Sequence, residues 1–267
     1  MLKLLNKNEN IIINDHLVSL EIDVENDIVL NISVQKDSNV YIKINKAYNI
    51  DLDINVEANV KSSILIWNDT KDSMITKEHI NVKENANLTL AYADINNSNV
   101  DRKIIVDLIE KYASADVKTA CLTSCDKKYI LEINSKAPFT LGQMENFSVV
   151  LKDGNYYMDA TGRILKGCNG SKSHQTSRAL CFDAKQKATI LPQLLIDEND
   201  VEASHATSVG SVDENQLFYM QTRGLTKNEV LSLIAVGYLS FITDVIDDEE
   251  LKNSIIDHIE NKVKEIC

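Results

Sequence analysis

Residues 1–137 contain neither glycine nor proline: all eight glycines fall at or after Gly142, and the two prolines are Pro138 and Pro192. Corners in that half are therefore left to Asn, Asp and Ser, the other residues that tolerate turns. No Gly-x-x-x-x-Gly-Lys, Gly-x-Gly-x-x-Gly, Gly-x-Ser-x-Gly or His-Glu-x-x-His occurs. The P-loop, dinucleotide-binding, hydrolase-elbow and zincin readings lose their motifs, and the chain has no P-loop of its own with which to bind ATP.

Positive charge is also scarce. Lys and Arg number 28 against 40 Asp and Glu, a net charge of -12, which argues against nucleic acid and against an anionic membrane surface as partners. No long apolar run is present. The longest, Val230 to Ile246, is interrupted by Ser232, Ser240, Thr243 and Asp244 and is too short to span a bilayer. The N-terminal Met1 to Lys7 turns polar at once, unlike an export signal, so the expected compartment is the cytoplasm. The five cysteines, Cys121, Cys125, Cys168, Cys181 and Cys267, are an odd number. In a reducing compartment they read as free thiols, with metal or redox work as the sharper alternative.

What the chain has in quantity is alternation. Val18, Leu20, Ile22 and Val24 are followed by Ile28, Leu30, Ile32 and Val34, then Val40, Ile42 and Ile44, then Ile50, Leu52, Ile54 and Val56. Branched residues at every second position predict half-buried strands. A weak repeat places Asn39, Asn59, Asn87 and Asp116 before branched residues at intervals of 20, 28 and 29. That spacing suits a β-solenoid, with a sandwich as the alternative. The β pattern resumes at Phe147 and runs past Arg178 to Ile196, with Pro192 expected at an edge or turn.

After Gly224 the pattern becomes helical. Thr226-Lys-Asn-Glu229 is a capping box opening a helix to about Val245, apolar most of the way round. Asp247 to Glu250 caps a last helix striped by Leu251, Ile255, Ile259, Val263 and Ile266. Residues 211–267 hold 11 acids and 5 bases; a solvated outer face is the commoner reading of that charge, with a basic partner as the alternative. The division expected is a β core over 1–210 and a helical part over 211–267.

Between the two lies Glu202 to Leu225, which begins as a strand, carries His205 among small residues, bends at Gly210 and enters a helix capped by Asp213 and stopped by Gly224. A histidine with small neighbours is open to a ligand, although a structural role is the commoner one. Cys168, His174 and Cys181 are soft or borderline ligands that adjacent coils could bring near it, a set suited to iron, iron–sulfur or zinc. Cys121 and Cys125 sit about 13 Å apart if they share a strand, and only a turn at Thr123–Ser124 would bring them together.

Pro192 to Ile196, Asp200 to His205, Val209-Gly210, Asp213 to Tyr219 and Thr222 to Leu225 form an ordered set that resembles the SufB/SufD family of iron–sulfur cluster assembly proteins. The resemblance covers about Gly162 to Ile246. It implies a mainly β fold, a right-handed parallel β-helix followed by a small helical part. It implies a non-catalytic scaffold that holds iron and a transient iron–sulfur cluster. Its partners would be a SufC-type ABC ATPase, a second copy or a SufB/SufD-type paralogue, and a cysteine-derived sulfur donor. The family's histidine falls on His205, with Cys181, Cys168 and His174 as further candidate ligands. The ATPase-docking segment falls on Asp213 to Ile246, with Phe218, Tyr219, Arg223 and Gly224 as contacts. Two departures are SufD-like: Ala206 stands where SufB-type members carry glutamate, and their functional cysteine falls on Ser177. A single-paralogue form using Cys181 or Cys168 would show the same departures. Two rival expectations are a structural ATPase-binding partner that holds no cluster, and a β-helix carbohydrate-active enzyme.

Overall fold

The computed structural model describes residues 2–182, 187–245 and 249–266. Seventeen strands precede the helices: β1 (Leu2–Leu5), β2 (Glu9–Ile13), β3 (Leu17–Asp23), β4 (Ile28–Val34), β5 (Ser38–Lys46), β6 (Asn49–Val56), β7 (Lys61–Asn68), β8 (Met74–Val82) and β9 (Asn87–Asp94). They continue as β10 (Val100–Leu108), β11 (Ser114–Thr123), β12 (Asp126–Ser135), β13 (Leu141–Val150), β14 (Asn155–Ile164), β15 (Lys172–Cys181), β16 (Lys187–Ile196) and β17 (Glu202–Ser211). Odd strands form one nine-stranded sheet and even strands an eight-stranded one, each strand parallel to the strands two before and two after it. The fold is a parallel β-solenoid, not a sandwich.

Alternation dictates it. Val18, Leu20, Ile22, Ile28, Leu30 and Ile32 all point inward and are buried, and each coil stacks its apolar set on the last. The offset between neighbouring coils grows along the chain. It is 22 residues at Leu17↔Asn39, 27 at Ser114↔Leu141 and 31 at Leu141↔Lys172. Pro192 lies in β16, the edge strand of its sheet, where a missing N–H is tolerated.

The true repeat frame differs from the expected Asn39, Asn59, Asn87 and Asp116. Asn59, Asn85, Tyr112, Phe139 and Gly170 occupy one corner of successive coils in the left-handed region, with φ of 62°, 55°, 62°, 59° and 71°. At four of them the backbone N–H bonds the same carbonyl of the following coil: Asn59 to Glu84, Asn85 to Lys111, Phe139 to Asn169, Gly170 to Asp200. Side chains stack along this corner. Asn85 Nδ2 donates to Asn59 Oδ1 at 3.0 Å, and the Tyr112 and Phe139 rings lie parallel at 5.4 Å. Gly170 ends the column because a Cβ there would sit 2.4 Å from Phe139 Cδ1.

The helical part follows β17: α1 (Glu214–Thr222), α2 (Lys227–Leu239) continued by a 3-10 turn (Ser240–Val245), and α3 (Glu249–Ile266). Asp213 accepts from Asn215 N, and the Thr226–Glu229 capping box is formed. Of the acidic run expected to cap α3, Asp247 and Asp248 lie outside the described residues, as does Cys267. The strand that was expected to bend at Gly210 runs straight through it to Ser211.

The helical part rests on the outer face of the odd sheet. Leu65, Trp67, Ala91, Ala93, Leu122 and Val149 form a second apolar layer there. Leu231, Ala235, Leu239, Ile242, Ile255 and Ile259 pack against it. His258 on α3 bonds the Ile95 carbonyl through Nε2 at 2.8 Å and meets Trp67 edge-on at 5.3 Å. Lys227–Val245 is long and apolar enough to cross a membrane, but its Val230, Leu231, Ala235, Leu239 and Ile242 are buried within the protein.

Inside the solenoid, four fully buried charges interrupt the aliphatic core. The Arg102 guanidinium donates to both oxygens of Asp94, Nε at 2.8 Å and Nη2 at 2.9 Å, and through Nη1 to Glu78 Oε1 at 2.8 Å. Tyr129 and Asn68 also donate to Asp94, and Tyr92 and Thr76 to Glu78. Lys127 Nζ donates to Asn96. Burial alone would raise the Asp94 carboxyl. The Arg102 charge and hydrogen bonds, with Lys127 and Asn68, outweigh it and hold the group at about 2.

Two outcomes follow from this fold. Gly170→Ala should cost about 2 kcal/mol or more, from the left-handed backbone and the collision with the Phe139 ring. Urea unfolding should show a lower midpoint, and adding Phe139→Ala should recover the steric share. The low folded pKa of Asp94 contributes stability present above its unfolded value near 4 and lost as pH falls toward 2, about 2 kcal/mol in all. Urea titrations between those limits should show a shallower acid slope in Asp94→Asn, by up to one proton, on a lower overall stability. An unchanged slope would contradict the charge network.

Candidate functional site at the open end of the solenoid

The two ends of the solenoid differ. At the N-terminal end β1 and β2 are the outermost strands of the two sheets; on their inner face Leu5, Ile11 and Ile13 are buried and Lys3 pairs with Glu9. At the C-terminal end β16 and β17 are the last strands of their sheets, and all ten residues of β17 are exposed. An edge strand presents unpaired N–H and C=O groups and is a template for another chain.

Register fixes which side chains face the axis there. Inward residues of β15 are Ser173, Gln175, Ser177, Ala179 and Cys181, all buried. Their partners on β17 are Ala203, His205, Thr207, Val209 and Ser211. His205 therefore stands on the inner face of the last coil, directly over Gln175, and is solvent-exposed. Beneath Thr207, Ser177 Oγ accepts from Asn146 Nδ2 at 3.1 Å, and Asn146 Oδ1 accepts from Thr119 at 3.0 Å. The position that matches the SufB-type cysteine is thus a link in a buried polar ladder.

The other candidate ligands lie elsewhere. His174 points to the outer face of the same sheet, with Nδ1 2.8 Å from Ser204 Oγ. Cys181 shares the inner face with His205 but pairs with Ser211, six residues further along and roughly 20 Å away at strand rise. Cys168 sits in the turn before β15, at the strand's opposite end, and its thiol donates to the Ser135 carbonyl at 3.2 Å. Burial pushes both thiols up. Within one chain, the structure does not bring these three groups around one ion, and no cluster of three or more such ligands occurs among the described residues.

A bend at Ser124–Cys125 does separate Cys121 from Cys125. Cys121 is buried in the core, its thiol pushed up to about 12 by burial. The Cys125 thiol donates to the Ser98 carbonyl at 3.1 Å.

On the other side of this junction, α1 buries none of its residues. Phe218 and Tyr219 are 69% and 57% exposed. Arg223 lies over the Tyr219 ring at 5.1 Å and donates to its hydroxyl at 3.0 Å. Gly224 takes φ +94° and ends the helix. The four docking candidates thus form one exposed aromatic-cationic corner.

Sequence reading missed Gln175, the buried floor beneath His205. The signal was available, since Gln175 alternates in phase with Ser173, Ser177 and Ala179. It became meaningful only with the register to His205.

Comparison with known proteins bears on this arrangement. Residues 4–238 match the family model described as "SUF system FeS cluster assembly, SufBD core domain". The iron-sulfur cluster assembly protein SufD of Bacillus subtilis is 38% identical over 116 residues, 43% of this chain and 26% of that protein. SufD of Escherichia coli is 24% identical over 135 residues, 51% of this chain and 31% of that protein. An iron-sulfur cluster assembly SufBD family protein of Mycobacterium tuberculosis is 33% identical over 103 residues, 39% of this chain and 12% of that protein. The matched stretches thus span a third or less of each of these relatives. With the core-domain match running from the first coil into α2, the chain belongs to the SufBD family.

Proposed function

We propose that this chain is a scaffold subunit in iron–sulfur cluster assembly, working in the cytoplasm with an ABC-type ATPase that supplies ATP turnover. The observation that carries the reading is the open end of the solenoid. Two edge strands there surround an exposed His205 on a polar floor, whereas the inner face of the first coil is largely aliphatic, with Leu5, Ile11 and Ile13 buried. A second copy, or a SufB/SufD-type paralogue, seats on that end. The cluster or its iron is cargo held near His205, and a cysteine-derived donor supplies the sulfur. Because Cys181 lies far from His205 within one chain, further ligands come from across the seam. The ATPase grips the Phe218–Gly224 corner and α2, and its motion reaches the open end through the short link from β17 to α1.

The burial of Cys168 and Cys181, which raises both thiols, favours one rival, a structural partner that binds the ATPase and holds no cluster. Anaerobic reconstitution with iron and sulfide separates the two. The scaffold should develop cluster absorbance that His205→Ala loses by tenfold or more while still co-purifying with the ATPase. Absorbance that is absent from the wild type, or unchanged in His205→Ala, would favour the structural role.

Docking has its own expected outcome. Phe218→Ala should weaken binding to the ATPase by tenfold or more, the usual scale for a central aromatic anchor. Calorimetric titration of the two proteins reads this directly. Circular dichroism should be unchanged, because Phe218 is mostly exposed in the free chain.

A further inference from the structure

We infer that Gln175 is the positioning residue of His205: its side-chain oxygen takes the proton-bearing ring nitrogen and leaves the other nitrogen bare and facing outward. The inference rests on the proposed role of His205 as a ligand, but it concerns a different residue and a different observable.

Gln175 is only 3% exposed. Its Nε2 donates to the backbone carbonyl of Gln193 on β16 at 2.8 Å, so the side chain crosses the interior from the odd sheet to the even one. A backbone carbonyl can only accept. The nitrogen branch of the amide is thereby assigned to Gln193, and Oε1 must be the other branch. That oxygen is buried and has no hydrogen-bond partner in the structure. An acceptor left so costs about 1–3 kcal/mol, which calls for a donor. Its same-face neighbours on β15, Ser173 and Ser177, do not supply one.

The amide is also held in place. Gly162 on β14 lies opposite, and a Cβ there would fall 2.2 Å from Ser173 Oγ and 2.9 Å from Gln175 Nε2. Gln175 is seated in space that exists because residue 162 has no side chain.

The donor is in the next layer. His205 is the register partner of Gln175 on the same inner face, and adjacent parallel strands lie about 4.8 Å apart. Among the described residues the His205 ring makes no hydrogen bond, so a buried acceptor and an unoccupied N–H donor are stacked on each other. A neutral imidazole carries one N–H, and fixing it at one nitrogen aims the lone pair of the other. Histidines that bind metals nearly always have such a partner. Here it is a neutral amide, which orients the ring without the gain in basicity a carboxylate would give, as befits a ligand that must release its cargo.

The test is the tautomer of His205 in the full chain. It is read by long-range proton–nitrogen correlation at alkaline pH and assigned by the signal missing from His205→Asn. Wild type should show one tautomer. Gln175→Met should show the mixture of free imidazole, and Gln175→Glu, which keeps an acceptor, should restore a single form. The same ratio in wild type and Gln175→Met would overturn the assignment. So would a mixed population in wild type, which decides the matter even if Gln175→Met does not fold. Binding of Zn²⁺ alone, measured by calorimetry, should weaken at least tenfold in Gln175→Met, the usual scale for such a partner. Unchanged Zn²⁺ affinity in His205→Ala, beside a single wild-type tautomer, would remove His205 as a ligand and leave the role of Gln175 standing.

Discussion

Every ladder hydrogen bond in this molecule runs from one coil to the next, so the fold cannot end without leaving a coil unsatisfied. That constraint sets the rest of the structure. At the first coil β1 and β2 are left as edges, over an inner face where Leu5, Ile11 and Ile13 are buried and Lys3 pairs with Glu9. At the last coil β16 and β17 are likewise left as edges, over a polar inner face. Natural proteins commonly blunt such edges with charge, proline or a covering element. Pro192 does this within β16. β17 has no equivalent: between Glu202 and Ser211 it carries small residues, one valine and one histidine. Small side chains let another backbone approach such an edge.

The interior changes character on the way to that end. The first coils are filled by Val, Ile and Leu. From β8 to β12 the core holds Glu78, Asp94, Arg102 and Lys127, and from β11 onward Thr119, Asn146 and Ser177 form a hydrogen-bonded ladder. Buried ion pairs add little net stability over apolar packing, because desolvation cancels most of the attraction. What they add is intolerance of misregister. Arg102 reaches Asp94 on β9 and Glu78 on β8 at once, so slipping any of the three strands by one residue would leave a charge buried without its partner. The aliphatic coils have no such check, since one branched residue stacks on another nearly as well after a slip of two. The charged layer thus fixes the register of the polar coils that follow, and through them the placement of His205 over Gln175.

Much of this could be read in the sequence. Every residue that period-two alternation named from Val18 to Val56 is buried, and Glu78, Asp94 and Arg102 sit in the same phase at core positions. Charged residues in phase with Ile80, Leu90 and Ile104 are a readable sign of a buried network. The repeat frame was harder, because its marker is a backbone conformation. Asn59 and Asn85 have side chains that tolerate it, whereas Tyr112 and Phe139 do not advertise it. The seat for the helices lay in plain runs such as Ile64-Leu65-Ile66-Trp67 and Leu90-Ala91-Tyr92-Ala93, where alternation fails because both faces are buried. Those runs explain how an almost all-round apolar α2 docks on its own chain. The site was legible only in part. Local pattern singled out His205, and the family resemblance pointed to the Phe218–Gly224 corner, but which thiols approach the histidine depends on strand position, a property of the whole stack.

That placement narrows the chemistry. A thiolate is the usual ligand for iron–sulfur clusters, and it forms readily where cationic or solvated surroundings lower the thiol pKa. Cys168 and Cys181 have the opposite surroundings: both are buried, both are raised by burial, and Cys168 already donates to a carbonyl. His205 is different, exposed on an edge and backed by an amide with an unfilled acceptor. On the reading proposed here, the chain brings one nitrogen ligand and a shaped floor, and the sulfur comes from elsewhere. Such a half-site holds nothing firmly until the other half is seated over it. Coupling the seating to an ATPase gripping α1, next in the chain after β17, would then make loading and release one motion.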